Sequence, residues 1–371
     1  MKEFSLVPNI VLFDTCREFV KNCKIGAGDL IITSTHTYVA HFESLIKDAA
    51  VIYIRTYGQG EPSDDMVEAM YTDVKNIDYK RVVAIGGGTV IDVAKLFALK
   101  TVSPVLDLYD HIIPGVKDKE LLILPTTCGT GSEVTNISIL ALKSRHTKMG
   151  LAVPALFADK AVLIPELLHD LPFEFFATSS IDALVHAMES YLSPKASPFT
   201  EIFSIQAIEM IISGYQKIAT NGEAARIPLL NDFLIASTYA GVAFGNAGCG
   251  AVHAMSYPLG AIYHVPHGES NYAMLIGVFK TYMRLNPTGK IKRLNNILVK
   301  LLGCAEDKVY DEMEKLLNRI LQKKSLHEYG VVREDLILFT ESVMEKQGRL
   351  MANNYAELSK EMVLGIYNQL Y

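Results

Sequence analysis

Asp182-Ala-Leu-Val-His186, His253 and His267 are residues whose types and spacing point to one piece of chemistry. On a helix, a carboxylate and an imidazole four positions apart share a face and can grip one cation from a rigid platform. His253 and His267 are then expected from a second helix and the loop that follows it. One carboxylate with three imidazoles is a nitrogen/oxygen donor set for Fe(II), Zn or a similar divalent ion. An isolated Asp-x-x-x-His pair is more often a solvated helix face. Here the flanking residues are apolar and small: Ile181-Asp-Ala-Leu-Val-His-Ala-Met188 around the pair, and Gly248-Cys-Gly-Ala-Val-His-Ala-Met255 around His253. Ionisable groups are rarely buried in such company unless paired or metal-bound. The competing reading is a set of satisfied core histidines.

A second chemistry is written earlier in the chain. The apolar run Arg81-Val-Val-Ala-Ile85 leads into Gly86-Gly-Gly-Thr-Val-Ile-Asp-Val-Ala-Lys95. Gly86, Gly87 and Gly88 let backbone approach a ligand, and a helix beginning near Thr89 presents free N–H groups to an anion such as pyrophosphate. This is not the G-x-G-x-x-G fingerprint, and spacing alone leaves a plain strand-to-helix turn equally open. After the apolar run Leu121-Leu-Ile-Leu124 comes Pro125-Thr-Thr-Cys-Gly-Thr-Gly-Ser-Glu133. Its hydroxyls, Thr126, Thr127 and Thr130 among them, suit ribose and phosphate oxygens; the alternative is a polar turn capped by Thr130 or Ser132.

The elements that must position these residues fall into two regions. Buried strands are expected at Asp29–Thr33, at 50–54, 81–85 and 121–124, and at 161–164, with a low-signal edge strand or hairpin within 1–13. Helices are expected at 37–48 and at 64–76, the latter capped by Ser63. Residues 136–152 read as a hairpin carrying the basic run from Lys143 to Lys148. Alternating strands and helices predict a parallel, doubly wound sheet whose ligands bind at the strand C-termini. Near Pro172 the pattern changes to helices alone: 180–192, 199–219, 229–243, 288–303, 306–323, 333–352 and 358–370. The expected division is an α/β dinucleotide-binding domain, 1–170, and an all-helical metal-binding and substrate domain, 171–371, with the active site in the cleft between them.

Composition narrows the class. The 371 residues are half hydrophobic and one fifth charged, enough for sizeable cores and against disorder. A net charge of −6 offers no basic footprint for nucleic acid. Five cysteines without a C-x-x-C read as reduced thiols in a cytoplasmic protein. Met-Lys-Glu-Phe-Ser lacks the apolar core of a signal peptide, and no apolar run approaches the roughly 18 residues of a membrane span.

Taken together and in order, Gly86-Gly-Gly-Thr with Asp92, Thr126-Thr-x-Gly-Thr-Gly-Ser-Glu133, Asp182-Ala-x-x-His186, and His253 with His267 resemble the iron-containing (group III) alcohol dehydrogenases along essentially the whole chain. The resemblance implies a Rossmann-like N-terminal domain and a helical C-terminal domain, the architecture shared with dehydroquinate synthase. It implies Fe(II) or Zn held by Asp182, His186, His253 and His267. It also implies a dinucleotide site with pyrophosphate on Gly87, Gly88 and Thr89, and Thr126, Thr127 and Thr130 along the adenosine and ribose side. Gly86 and Asp92 complete that site, and Lys148 reaches the nicotinamide ribose.

The stretches 125–136, Tyr239-Ala-Gly-Val-Ala-Phe-Gly-Asn-Ala247 and Tyr263-His-Val-Pro-His-Gly-Glu269 resemble the subgroup that interconverts 4-hydroxybutyrate and succinate semialdehyde. Many relatives carry a histidine where this chain has Tyr257, and a polar non-histidine residue where it has His264, so these two are the candidates for proton transfer. Ser34 stands where many NAD-preferring relatives have Asp; NAD is the expectation, with NADP left open. Cys128 replaces a smaller residue and is read as packing. The resemblance also implies a homo-oligomer acting on a small alcohol or aldehyde. The rival expectations are the same chemistry on a diol or simple alcohol, sugar-phosphate chemistry like that of dehydroquinate synthase, or a non-catalytic binder of nucleotide and metal.

Overall fold

The computed structural model describes residues 3–371, so the first two positions of the predicted N-terminal strand region lie outside the described residues. The described chain divides into two compact units, one of residues 6–171 and one of residues 172–371 together with residues 3–5.

The first unit is built on eight strands: β1 (Asn9–Leu12), β2 (Asp29–Thr33), β3 (Ala50–Tyr53), β4 (Arg81–Gly86), β5 (Glu120–Pro125), β6 (Ile137–Leu142), β7 (Thr147–Ala152) and β8 (Lys160–Leu163). Six form one all-parallel sheet in the order β1-β8-β5-β4-β2-β3, and β6 pairs antiparallel with β7. The central strands are continuous apolar runs with both faces covered, the pattern a parallel sheet requires. Helices α1 (Cys16–Cys23), α2 (Thr35–His41), α3 (Asp64–Val74), α4 (Gly88–Phe97) and α5 (Val105–Tyr109) connect them. Thr15, Ser34 and Ser63 cap the first three, each accepting a backbone N–H with its side-chain oxygen. Helix α2 is shorter than the predicted 37–48. Phe42 leaves the helix, becomes fully buried and sets its ring edge-on to Phe19. Core packing there overrides helical propensity.

The second unit is helical: α6 (Phe173–Leu192), α7 (Pro198–Asn221), α8 (Leu230–Ala247), α9 (Ala251–Tyr263), α10 (His267–Leu285), α11 (Gly289–Leu302), α12 (Val309–Asn318), α13 (Arg333–Lys346), α14 (Gly348–Met351) and α15 (Lys360–Leu370). Ser197, Pro198 and Thr200 start α7 with a capping box. Helix α6 is buried on nearly all sides from Phe176 onward and packs against α7, α8 and α10, so its polar residues must find partners inside the unit.

Three further expectations are corrected. The helix predicted at 306–323 is a short 3-10 turn, Glu306–Lys308, followed by α12. The one predicted at 333–352 breaks at Gln347, before Gly348, into α13 and α14. His267 is not on a loop but opens α10. Among the described residues one helical stretch, Glu223–Ala247, is also long and apolar enough to cross a membrane by composition. It ends in α8, whose contacts with α6 and α7 bury most of it.

Candidate functional site

Three helices carry the predicted ligands, and each presents two polar residues one turn apart: Asp182 and His186 on α6, His253 and Tyr257 on α9, His267 and Asn271 on α10. Asp182 Oδ1 lies 3.7 Å from Nε2 of both His253 and His267. The donor atoms of these three residues all fall within 4.8 Å of one another. Two donors bound to one ion at about 2.0–2.2 Å stand at most ~4 Å apart, so the 3.7 Å separations suit a shared cation. His186 adjoins this group. Its Nδ1 is 3.9 Å from Asp182 Oδ2, and its ring stacks on Phe244 at 4.2 Å and on His253 at 4.6 Å. It also forms, with Cys249 and His253, a second set of possible donors within 4.8 Å. Asp182, His253 and His267 thus converge on one point, and His186 stands beside them.

The surrounding polar atoms fit a metal. The Asn271 amide nitrogen approaches Asp182 Oδ1 at 2.7 Å, His253 Nε2 at 3.2 Å and His267 Nε2 at 3.3 Å. An amide nitrogen has only two N–H groups for these three neighbours. Its own oxygen, Asn271 Oδ1, is buried without a hydrogen-bond partner. A buried carboxylate and imidazole nitrogens turned to one point are a donor set that Fe(II) or Zn would complete. The His267 side chain is 45 % exposed whereas Asp182 is 5 % exposed, so the site opens to solvent on the α10 side.

Helix α10 is held close to α6 by the residue after His267. A Cβ on Gly268 would stand 1.9 Å from the Thr178 carbonyl oxygen, so only glycine fits. The electrostatics follow from burial and charge. Burial pushes the Asp182 carboxyl up, but His186, His267, His253 and the Asn271 amide outweigh it and hold it below the usual carboxylate range. Burial works against the imidazolium at His253, yet contacts with Cys249 and Glu189 raise it well above the ordinary histidine value. Burial also raises the Tyr257 phenol.

Two buried residues absent from the sequence-based set belong to this centre. Glu189, on α6, places Oε2 2.6 Å from His253 Nδ1 and accepts the Val252 N–H with Oε1 at 2.6 Å. Asn271 is the other. Both had a positional signal, since Glu189 lies two turns after Asp182 and Asn271 one turn after His267. Of the proton-transfer candidates, Tyr257 has its ring 6.1 Å from that of His267. His264 is exposed and caps α9 in the left-handed conformation, at φ 56°. Tyr263 donates its hydroxyl to the Asp335 carboxylate, which commits it away from an anionic ligand.

In the first unit, β4 and β5 are neighbours in parallel register, with Gly86 opposite Pro125. The glycine turn and the threonine loop therefore leave the same edge of the sheet side by side. Helix α4 starts at Gly88 with Gly87 as a cap that has no side chain, leaving its first N–H groups for a ligand. A Cβ on Gly86 would meet Val90 at 2.4 Å; one on Gly87 or Gly88 would meet Thr127 at 3.5 Å or Thr130 at 3.1 Å. Thr127 and Thr130 thus lie directly over the turn. The Thr126 N–H donates to Gly86 O, and Thr130 Oγ1 accepts from the Ser132 N–H.

Asp92 faces protein rather than solvent, accepting from the Ile139 N–H at 3.0 Å and Ser132 Oγ at 3.4 Å. Lys95 is fully buried beside it and donates to Ile137 O at 2.7 Å and Thr135 Oγ1 at 3.2 Å. Burial raises the Asp92 carboxyl and lowers the Lys95 ammonium to about 8. Lys148, on β7, pairs with Glu61 at 2.5 Å.

Residues 11–165 match the family model for iron-containing alcohol dehydrogenase, and residues 176–371 match that for the C-terminal domain of the same family. The chain belongs to the iron-containing alcohol dehydrogenases. It is 48 % identical over 371 residues, covering all of both chains, to the 4-hydroxybutyrate dehydrogenase of Clostridium kluyveri. In fold it matches a 1,3-propanediol oxidoreductase with a TM-score of 0.87 at 22 % identity, covering both chains completely. It also matches the sulfoacetaldehyde reductase of Bifidobacterium kashiwanohense, solved in complex with NAD+, with a TM-score of 0.85 at 21 % identity over 100 % of this chain and 98 % of that one.

Proposed function

We propose that this protein is an NAD-linked dehydrogenase that interconverts 4-hydroxybutyrate and succinate semialdehyde, using Fe(II) or Zn held by Asp182, His253 and His267 with His186. The observation that carries the reading is full-length identity of 48 % to a 4-hydroxybutyrate dehydrogenase, on a chain whose acid and imidazole donors converge. When bound, the cation would supply Lewis acidity toward the substrate oxygen, and the nicotinamide would supply the redox chemistry. The chain supplies the rest. The bare N–H groups at the start of α4, with Gly87, Gly88 and Thr89, cradle pyrophosphate, and Thr126, Thr127 and Thr130 offer hydroxyls to the ribose side. Tyr257, kept protonated by burial, holds a proton at its phenol oxygen for the substrate oxygen in the reducing direction. His264, exposed at the end of the same helix, is the second candidate from the sequence for the route of that proton to solvent. Lys148, which the family resemblance assigns to the nicotinamide ribose, would have to give up its pairing with Glu61 to reach it.

A 4-hydroxy acid brings a carboxylate, which calls for a guanidinium or hydrogen-bonding partner. Arg349 fits that need. Helix α14 packs on α9, Arg349 is exposed, and its charge is one of those acting on the Tyr257 phenol alongside His253 and Asp182. The family resemblance carries one further part of the reading, a homo-oligomer, and the reading of the five cysteines as reduced thiols carries another, a cytoplasmic location.

The test is formation of reduced nicotinamide by metal-loaded enzyme, with 4-hydroxybutyrate compared with 1-butanol and 1,3-propanediol. The expected result is kcat/KM at least tenfold higher for the hydroxy acid; equal values reject the carboxylate reading. In Arg349→Gln the ratio of hydroxy-acid to butanol kcat/KM should fall about tenfold, the order of one charge-assisted hydrogen bond. No turnover with any alcohol and either metal rejects the dehydrogenase reading outright.

A further inference from the structure

We infer that Glu189 is a positioning residue of the metal centre, which holds the His253 ring by Nδ1 so that Nε2 faces the donor set, and contributes negative charge to that set. The inference rests on the metal-binding reading above and adds a residue to it.

Glu189 uses both of its carboxylate oxygens. One carboxylate oxygen accepts the Val252 N–H at 2.6 Å, and the other faces His253 Nδ1 at 2.6 Å. A carboxylate oxygen accepts, so Nδ1 carries a proton. The nitrogen left to take a cation is then Nε2, which faces Asp182 Oδ1 and the Asn271 amide. An imidazole binds a cation only through an unprotonated nitrogen. The bond to Val252 matters as well. Val252 is the second residue of α9, so Glu189 grips the backbone one residue from His253 and fixes the ring and the start of its helix together.

Burial adds a charge argument. The Glu189 and His253 side chains are 2 % and 4 % exposed, and that of Asp182 is 5 % exposed. Two carboxylates in so small a dry volume are unfavourable unless positive charge offsets them. A divalent cation offsets both. Glu189 therefore raises affinity for a dication in two ways, through the tautomer of His253 and through charge.

Glutamine is the discriminating substitution. An amide has one acceptor and one donor end. If its oxygen faces His253, its NH2 opposes the Val252 N–H. If its oxygen faces Val252, its NH2 requires Nδ1 to be the acceptor, which puts the proton on Nε2 and blocks the cation. The experiment measures Zn2+ and Co2+ affinity of the full-length metal-stripped protein by competition with a chromophoric chelator, with melting of the metal-free protein recorded alongside. In Glu189→Gln, Kd should rise about ten- to a hundredfold, as for outer-shell partners of metal histidines. In Glu189→Asp, which keeps the charge but shortens the reach, Kd should lie between the two, and this variant carries the test if the glutamine chain does not fold. In a His253→Ala background Glu189→Gln should add no more than about threefold.

Unchanged Kd in both variants, with only a lowered melting point, would show that Glu189 merely stabilises the fold, and the inference fails. A full ten- to hundredfold effect that persists without His253 overturns the route through that ring. If the unaltered chain itself binds neither ion, the metal reading fails and this inference falls with it, an outcome distinct from unchanged Kd in the variants.

Discussion

At the residue scale, Lys95 holds a position that demands explanation. An ammonium with no exposure survives because Ile137 O, Thr135 Oγ1 and the Asp92 carboxylate surround it. It ties α4, which begins at the glycine turn, to the start of β6. Its folded value is about 8, below the ordinary 10.5, because burial disfavours the charge. The sign follows from that direction. Below about 8 the folded and unfolded chains both hold the proton, and the folded chain bears the penalty of a buried charge. Between about 8 and 10.5 the folded chain releases a proton that the unfolded chain keeps, so this group's contribution to stability rises with pH. Urea unfolding of the natural chain and of Lys95→Met, on both sides of that window, should show the rise in the natural chain only. The variant should be less stable by about 1–3 kcal/mol below the window, since Asp92 and Ile137 O lose a buried partner. Parallel pH dependence in both proteins rejects this assignment.

At the element scale, the metal centre depends on how closely α10 approaches α6. Gly268 permits that approach, because Thr178 O occupies the space where a Cβ would be. Gly268→Ala must displace a backbone carbonyl or the whole N-terminus of α10, not the end of a flexible side chain. A loss of at least about 2 kcal/mol in chemical denaturation is the expected outcome, in the range of overpacked cores. Metal affinity should fall with it, since His267 precedes this glycine directly. If the alanine protein keeps both stability and metal affinity, the close contact is not what sets His267. The same scale explains which elements could be read in advance. Strands β2, β4 and β5 announced themselves as short apolar runs ending in glycine, proline or hydroxyl residues. Helices α2, α12 and α13 did not reveal their ends. Phe42 stops α2 for a packing reason, and neither the 3-10 turn before α12 nor the break at Gln347 follows from local periodicity.

At the scale of the whole molecule, the candidate metal ligands lie in the helical unit and the candidate dinucleotide loops in the α/β unit. A ligand that binds only the folded state stabilises it by an amount set by concentration over Kd, about 2.7 kcal/mol at a hundredfold excess. Stripping the protein with a chelator should therefore lower its melting temperature, and Fe(II) or Zn should restore it in a concentration-dependent way. Identical melting of stripped and reloaded protein would show that the folded chain does not hold the ion.

The sequence by itself determined the parts carried by neighbours along the chain. Asp182 and His186 share a helix face, the glycines of 86–88 end a strand and begin a helix, and the change of pattern near Pro172 separates sheet from helices. Each is a local consequence of a period of two or 3.6 residues or of glycine backbone freedom. Tertiary structure alone decided which distant residues meet. It brought Asp182, His253 and His267 within 4.8 Å from three helices and set Glu189 against His253 across 64 positions. It placed α14, with Arg349, against α9. Spacing along a chain fixes direction only within one helix; the packing of one helix on another fixes the rest, and it is governed by the shapes of side chains far apart in sequence.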